Sequence, residues 1–540
     1  MTEKDRVLSG ERARPILVFL FTLIICLSLV KFGFYSVDEE SYTYLTKSIA
    51  LEGRLDFRSD YAMTGSDLHR AHYSVVSDGR IYSVFPPGYP LLAAPFYRLF
   101  GIKGMQIANI FFTALLTVIF YYFVKHFYPE TTGFLWALLP IVATQLLNYS
   151  VSQWSHIPAA LFILLGFYTI FKGRPALAGA AMGLAITTRY TAVVPLIFFL
   201  PYQYTRNRRK LPLLLAGALV GVLPLLAYNT AAFGSPFTSA MTILNAEIGL
   251  RTFNLSQLPK ALVTNIIHYT FFPELEYPYF KFSLIETSSF LVFGVVGARM
   301  LWNEKKHMRA ETATILASIA AFIIFISGTW SLGGQAHNMR LLTDIVPLIT
   351  FLAIIPLLRL NLQRRSMLAA PVLLAAALFL LHSSLARVKL ANLVIGLASL
   401  ICILWIVSFR KKYAQGNAKK AVTALLIIGI SLSIFTSVST TIIESANRRG
   451  NTQAASVFET LAPEGSVVLL FGGKYPSYTE KSYIFLDYSQ SPADIPKVLK
   501  YYRNRPRYVL LYGESHRKFF TGFNLSAEAL PGLYKISEAE

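Results

Sequence analysis

The sequence is poor in charged residues and almost free of cysteine. Only 15% of its 540 residues are charged, and it contains 2 cysteines. A soluble protein of this size carries about 25% charged residues, so this chain has too little charge to cover a soluble surface. Cys26 and Cys402 both lie within apolar runs, which leaves no disulfide framework and no cysteine-based metal site.

Hydrophobic residues are correspondingly abundant. They make up 54% of the chain, and the mean hydropathy is +0.49. The net charge of +21 would indicate nucleic-acid binding on a soluble chain. In a membrane protein the positive charge reflects the orientation of the chain in the bilayer, because Lys and Arg are enriched in cytoplasmic loops. The composition therefore predicts a polytopic integral membrane protein without a nucleic-acid partner.

Apolar runs of about 20 residues are long enough to cross a bilayer. We predict thirteen spans, at 15–34, 105–124, 131–149, 155–171, 175–189, 191–204, 211–232, 284–302, 311–329, 341–359, 367–385, 390–408 and 421–441. An odd number of spans places the two termini on opposite sides. The hairpin over 367–408 fits least well, since Arg387 and Lys389 fall on its external side.

Basic residues in short loops predict the orientation. With a cytoplasmic N-terminus, the inner loops hold 22 Lys and Arg residues and the short outer loops hold 7. The first span lacks a small-residue cleavage site, so it is not a cleaved signal peptide. We expect a multi-pass protein of the cell inner or plasma membrane, with its C-terminal tail outside.

The chain divides into two predicted domains. Residues 1–441 form an all-α polytopic membrane domain with external loops over 35–104 and 233–283. Residues 442–540 form a small extracytoplasmic α/β domain. This tail has helix-like patterning at 451–461 and 492–503, and β-rich runs at 466–472, 482–487 and 508–513.

Two spans, 175–189 and 191–204, are short for a bilayer crossing. They meet at residues 187–190, and we expect a hairpin whose tip lies below the outer surface. The predicted result is a depression at that face.

The membrane midplane is almost free of charge, and the acids and histidines near the membrane lie on the outer face. They are Asp38, Glu39, Glu40, His156, His268, Glu274, Glu276, His337 and Asp344. Transport through the core would place polar groups inside the spans. This distribution favours a reaction at the external interface.

Asp38 and Glu39 follow the first span directly, at the start of a segment in which Tyr42, Leu45 and Ile49 suggest an amphipathic interfacial helix. Acids at the start of a helix also stabilise the helix through its dipole. This is a purely structural explanation for both carboxylates. About thirty residues later, the Pro86-Pro87-Gly88 turn precedes an apolar stretch.

Together these segments resemble the GT-C superfamily of membrane glycosyltransferases, in particular the protein O-mannosyltransferases and their relatives that modify lipid A with aminoarabinose. The acidic pair, the interfacial helix and the proline-rich stretch carry the resemblance. Residues 183–189, and residues 329–334 followed by Arg340, are similar to later family motifs. Many relatives have Lys before Pro-Pro, where this chain has Phe85.

The resemblance implies a polyprenyl-phosphate-linked sugar donor, transfer on the external face and inversion at the anomeric carbon. The acceptor is a protein, a lipid or an envelope glycan. The departing phosphate monoester has a second pKa of about 6, so the reaction needs a base and cations more than a strong acid. We assign Asp38 as the base. Glu39 orients it, binds the acceptor or holds a metal.

Three arginines, Arg340, Arg189 and Arg80, are candidates for the cation that holds the donor phosphate, since a guanidinium binds phosphate in a bidentate manner. Arg340 and Arg189 can equally be interfacial anchors. The candidate substrate-binding residues are Tyr89, His156, His268, Glu274 and His337. A packed interfacial histidine and a solvated loop are the structural alternatives for His156 and for the loop residues.

No cofactor is required by the sequence. A divalent cation on Asp38, Glu39, His268 or Glu274 is compatible with the ligand types, although no spacing compels a metal.

Two other functions remain open. A transporter or lipid flippase should show inverted repeats and polar groups at the midplane, and a non-catalytic scaffold should tolerate loss of Asp38.

Overall fold

The computed structural model describes most of the membrane part and portions of the tail. The described residues are 3–33, 36–56, 74–78, 80–131, 133–247, 258–270, 283–328, 340–359, 391–401, 417–463, 465–471, 484–487, 495, 499–500, 503–511, 520, 523–528 and 533–538. Within them the chain is mostly helical.

The first half of the chain contains ten α-helices and a short β-hairpin among its described residues. They are α1 (Glu3–Leu29), α2 (Val37–Lys47), β1 (Ser74–Ser77), β2 (Arg80–Ser83), α3 (Gly88–Phe100), α4 (Gly104–Phe127), α5 (Leu139–Val142), α6 (Leu146–Ser150), α7 (His156–Phe171), α8 (Pro175–Thr188), α9 (Val193–Asn207) and α10 (Leu211–Phe233). A π-helical turn, Ser48–Glu52, extends α2.

The second half adds eight described helices and a sheet. These are α11 (Ala240–Glu247), α12 (Leu258–Thr270), α13 (Leu284–Thr287), α14 (Gly294–Glu304), α15 (Arg309–Ser327), α16 (Val346–Arg359), α17 (Ala391–Ile401) and α18 (Asn417–Leu461), followed by β3 (Val467–Phe471), β4 (Ile484–Asp487), β5 (Arg507–Leu511), β6 (Phe523–Ala527) and β7 (Leu533–Glu538). A 3₁₀ turn, Arg340–Ile345, leads into α16.

In the described part of the chain, five helical segments are long and apolar enough to cross a membrane. They are Gly88–Phe127, Tyr190–Phe233, Lys306–Ser327, Arg340–Leu358 and Val422–Arg449. Large apolar side chains on these segments are exposed, such as Val220 at 62% and Leu219 at 54%. The chain is thus a helical membrane protein, as its composition predicts.

Close packing of α8 against α10 organises the region around residues 175–233. A Cβ atom on Gly179 would lie 2.0 Å from the Leu214 carbonyl oxygen, and one on Gly183 would lie 2.4 Å from that of Ala218. Small residues allow such backbone contact between membrane helices. The contacts advance in the same direction along both helices, so α8 and α10 are parallel, and α9 connects them in the chain.

The predicted span 131–149 is not one helix. Its described residues form a 3₁₀ turn, Leu135–Leu138, followed by the short helices α5 and α6. Between the two helices, the Thr144 hydroxyl accepts a hydrogen bond from the Leu146 N–H at 3.2 Å. Side chains that bond to the local backbone in this way compete with helix continuation.

The tail contains a five-stranded mixed sheet with strand order β4-β3-β5-β7-β6. β3 is parallel to β4 and β5, whereas β7 is antiparallel to β5 and β6. The first three strands match the predicted β-rich runs. The sequence did not predict β6 and β7. β6 is an edge strand without a buried residue.

α18 continues without a break past the predicted domain boundary at 441/442. That boundary stays a prediction, and the predicted span 367–385 lies outside the described residues.

Candidate functional site

Asp38 lies in the first turn of α2, immediately beyond the first apolar helix, and only 4% of its side chain is exposed. Its Oδ2 atom accepts a hydrogen bond from Nη1 of Arg340 at 2.6 Å. Arg340 begins the 3₁₀ turn before α16, and its guanidinium lies 4.8 Å from the ring centre of Trp154. The two residues are 302 positions apart, so only the tertiary fold brings them together.

Glu39 is fully buried, and its carboxylate accepts hydrogen bonds from backbone N–H groups. Its Oε2 atom accepts a hydrogen bond from the Ser36 N–H at 3.1 Å, which caps the start of α2. Its Oε1 atom accepts one from the Gln153 N–H at 2.9 Å and lies 3.5 Å from Nη2 of Arg448. The adjacent carboxylates therefore have different environments: Asp38 contacts a partly exposed arginine, and Glu39 holds three segments of the chain together.

The same 3₁₀ turn carries Asp344, the acid of a second arginine–aspartate pair. The buried Asp344 accepts hydrogen bonds from Nε of Arg189 at 2.8 Å and from the Thr191 hydroxyl at 3.1 Å. Its other oxygen lies 2.9 Å from Nδ1 of His156. Nε2 of His156 is buried and has no hydrogen-bond partner among the described residues.

Ser155 connects the second pair to α2. Its hydroxyl accepts a hydrogen bond from Nη1 of Arg189 at 3.3 Å and lies 2.7 Å from the hydroxyl of Tyr42, one turn after Asp38 on α2. We call Asp38, Arg340, Asp344, Arg189 and His156 together the arginine–aspartate cluster. Loops before α7, after α8 and before α16 thus meet the start of α2.

The two arginines are the accessible part of the arginine–aspartate cluster. Both guanidinium side chains are 14% exposed, whereas Asp38 is 4% and Asp344 0% exposed. Each guanidinium presents five N–H donors in a planar fork. A ligand that approaches the cluster therefore meets cationic donors held in place by buried carboxylates, a surface suited to a phosphate.

Aromatic rings support α2 at this place. The Tyr42 ring stacks on Phe85 with 4.7 Å between centroids and meets Tyr89 edge to face at 5.4 Å. Tyr89 is fully buried, and its hydroxyl donates a hydrogen bond to the Met105 carbonyl at 3.0 Å. In this structure Tyr89 is a packing residue behind Tyr42.

Gly88 joins the proline-rich turn to the end of α8. A Cβ atom at this position would lie 2.4 Å from the carbonyl oxygen of Thr187, so only glycine permits this approach. Thr187 comes two residues before Arg189. Two motifs that are distant in sequence therefore meet directly beside the arginine–aspartate cluster.

The other predicted site residues lie elsewhere. Arg80 is exposed at the start of β2, where it pairs with Ser77. His268 is half-buried on α12. Glu274 and His337 lie outside the described residues.

No group of three or more His, Cys, Asp or Glu side chains is arranged as a metal site within the described residues. The divalent cation stays a prediction.

Sequence analysis missed two contributors to the site. Asp344 was noted only as an acid of the outer face, and Arg448 lay in the predicted tail. Arg448 is 1% exposed and also lies 3.6 Å from Glu444, one turn earlier on α18. The spacing of four residues between Glu444 and Arg448 is a helical pairing signal, whereas no local signal identifies Asp344, whose partners Arg189 and His156 are more than 150 residues away.

Comparisons with known proteins support the fold. No protein-family model matches the sequence, and no curated protein matches it. The structure is similar to that of ArnT from Cupriavidus metallidurans bound to undecaprenyl phosphate, with a TM-score of 0.58, 12% identity and 98% of each chain covered. The apo form of the same protein gives a TM-score of 0.55 at 13% identity, again with 98% of each chain covered. ArnT is a lipid A aminoarabinose transferase of the GT-C superfamily. The resemblance to this superfamily is confirmed as a likeness of fold.

Proposed function

We propose that the protein is an integral membrane glycosyltransferase. It moves a sugar from a polyprenyl-phosphate donor to a hydroxyl of a protein, a lipid or an envelope glycan at the external membrane face, with inversion. The observation that carries this proposal is the arginine–aspartate cluster, in which a buried carboxylate, Asp38, lies 2.6 Å from the partly exposed Arg340. The cluster offers a base and phosphate-binding cations in one place.

In the proposed reaction, the acceptor oxygen attacks the anomeric carbon from the side opposite the phosphate. The new carbon–oxygen bond forms as the bond from the anomeric carbon to the phosphate oxygen breaks. The acceptor's proton passes to Asp38, and the bonding electrons leave with the polyprenyl phosphate. Because this monoester has a second pKa of about 6, it leaves without a strong acid.

Arg340 and Arg189 bind the donor phosphate and the charge that develops on it, as preorganised donors do in other transfer reactions. Asp344 orients Arg189 from behind through the 2.8 Å hydrogen bond. Glu39 is a positioning residue, because its contacts with Ser36 and Gln153 hold the start of α2 and thereby Asp38.

The donor class is supported by the fold neighbour. The ArnT structure holds undecaprenyl phosphate, and that chain is covered over 98% of its length by this one. A prenyl chain in the bilayer would place its phosphate at the interface, where α2 begins.

Mass spectrometry of polyprenyl-phosphate sugars and envelope glycans, in cells with and without the gene, tests the proposal. We expect one polyprenyl-phosphate sugar to accumulate and one glycan to disappear when the gene is absent. Cells that carry only Asp38→Asn should show the same pattern at a normal protein level. Unchanged lipids and glycans in the deletion would overturn the proposal, and a normal glycan with both Asp38→Asn and Glu39→Gln would identify a scaffold instead.

A further inference from the structure

The indole ring of Trp154 lies against the guanidinium of Arg340 in the arginine–aspartate cluster. The central carbon of this guanidinium is 4.8 Å from the ring centre of Trp154, while its Nη1 atom donates a hydrogen bond to Asp38. A cation over an aromatic face is attracted by the ring quadrupole, and tryptophan gives the strongest contact of this kind. Arg340 therefore contacts two different kinds of group, a carboxylate and an indole.

Burial makes this contact stronger than the comparable contact at Trp302. Trp154 is 4% exposed and the Arg340 side chain is 14% exposed. Trp302 is 40% exposed, and the guanidinium of its exposed partner Arg309 lies 5.5 Å from the ring centre. A cation–π contact gains strength when water is excluded from it, so Trp154 restricts the position of its arginine more than Trp302 does.

The position of Trp154 is itself fixed from several sides. The buried Asn109 on α4 donates hydrogen bonds from Nδ2 to the carbonyl oxygens of Ser152 and Trp154, both at 2.8 Å. The indole packs against two other buried rings, Tyr149 at 6.0 Å and His156 at 5.8 Å between centroids. The ring is therefore a rigid surface for the guanidinium rather than a mobile side chain.

The indole also connects the two arginine–aspartate pairs. On one side it contacts Arg340, and on the other it packs against His156. Nδ1 of His156 lies 2.9 Å from Asp344, which in turn accepts a hydrogen bond from Arg189. The ring thus helps to set the position of Arg340 relative to Arg189, and a phosphate bound by both guanidinium groups depends on that relative position.

We propose that Trp154 is a positioning residue that holds the guanidinium of Arg340 ready for the donor phosphate. This inference rests on the proposed function, since it takes the donor to be a polyprenyl phosphate. The indole restricts Arg340 before the phosphate arrives, so that less freedom is lost on binding. Preorganisation of this kind raises affinity. Trp154 therefore acts on donor affinity, and it does so through Arg340.

Titration of the purified full-length protein with undecaprenyl phosphate tests this inference. Trp154→Phe should weaken binding about threefold, because phenylalanine keeps an aromatic face that attracts cations less strongly. Trp154→Leu should weaken binding about tenfold, because no aromatic face remains. The thermal midpoint is measured for both variants, since the smaller leucine leaves a cavity that lowers stability. Trp154→Phe retains an aromatic ring and is the variant expected to keep the fold.

A double-mutant cycle separates positioning from packing. Arg340→Ala should weaken binding by itself. In the Arg340→Ala background, the two Trp154 substitutions should change the affinity for undecaprenyl phosphate less than about twofold, because the group that the indole positions is absent. A residue that only packs would weaken binding by the same factor in both backgrounds.

Trp302→Leu is the matched control, because Trp302 also lies against an arginine but at the opposite end of α7. That helix runs for 16 residues from His156 to Phe171, about 24 Å. Arg309 begins α15, and Glu311 on the same helix lines a cavity together with Phe171. Trp302→Leu should bind undecaprenyl phosphate as the wild type does.

Two results would overturn the inference and leave the proposed function standing. The first is wild-type affinity in both Trp154 variants beside weak binding by Arg340→Ala. The second is an equal loss from the Trp154 substitutions in the presence and absence of Arg340. A wild-type protein that does not bind undecaprenyl phosphate would instead overturn the polyprenyl-phosphate donor, and the inference with it.

Discussion

The two ends of α7 differ in how they partner a buried acid. At one end, Asp344 has Arg189, Thr191 and His156 around its two oxygens. At the other end, Glu311 has both of its described partners on one oxygen. The first arrangement holds the partly exposed Arg189 in place, whereas the second leaves Oε2 of Glu311 buried without a hydrogen-bond partner among the described residues. Buried acids of similar exposure therefore have different environments at the two ends of α7.

The largest effect that separates the two ends is expected from Asp38→Asn. The substitution keeps the shape of the side chain but removes the base, so sugar transfer should fall about 10²–10⁴-fold with donor binding largely retained. Transfer rates with purified protein and donor measure this. Asp56→Asn is the matched control, because Asp56 is also buried and pairs with Arg54 at 2.6 Å. Near-wild-type transfer by Asp38→Asn would show that Asp38 is not the base.

Arg340 should give the next largest effect. Arg340→Ala removes a preorganised phosphate donor, which typically costs about 10²–10³ in rate. Arg340→Lys should be milder but clearly impaired, because a point charge does not reproduce the guanidinium fork. Arg309→Ala is a control at the other end, where that guanidinium lies 5.5 Å from the Trp302 ring centre. Full activity of Arg340→Ala would make Arg340 an interfacial anchor.

Glu39→Gln compared with Glu311→Gln sharpens the contrast between the ends. Glu39→Gln should lower transfer less than Asp38→Asn and should lower the thermal midpoint, since it weakens the contacts with Arg448 and the start of α2. Glu311→Gln should leave the transfer rate near that of the wild type. The opposite result, an inactive Glu39→Gln beside an active Asp38→Asn, would move the base by one residue.

The smallest effect on sugar transfer is expected from single-cysteine substitutions, whose labelling shows which end of the membrane domain lies outside. Cysteines at positions 65 and 512 should react with an impermeant reagent in intact cells, and those at 207 and 416 should not. The variants should leave sugar transfer unchanged. Labelling at 207 would reverse the orientation and place the arginine–aspartate cluster on the cytoplasmic side.

Much of the fold follows from local patterns. The predicted spans 155–171 and 211–232 correspond to α7 and α10, and strands β3, β4 and β5 match their β-rich runs. Apolar length and alternation are properties of neighbouring residues, so the sequence carries them directly. The broken segment at 135–150 was not predictable in this way, because its hydropathy is that of a span and its interruption depends on side-chain hydrogen bonds.

The sequence by itself determined a helical membrane protein with an acidic pair after its first span. Composition and hydrophobic runs are local properties and do not depend on contacts between distant segments. The resemblance suggested Asp38 as the base, but the sequence could not show how the environments of Asp38 and Glu39 differ, because they are adjacent carboxylates of the same charge. Only the tertiary structure showed those environments: Glu39 accepts hydrogen bonds from the Ser36 and Gln153 amides, and Asp38 accepts one from the guanidinium of Arg340, 302 residues away. The physical reason is that the environment of a charge depends on contacts between distant segments.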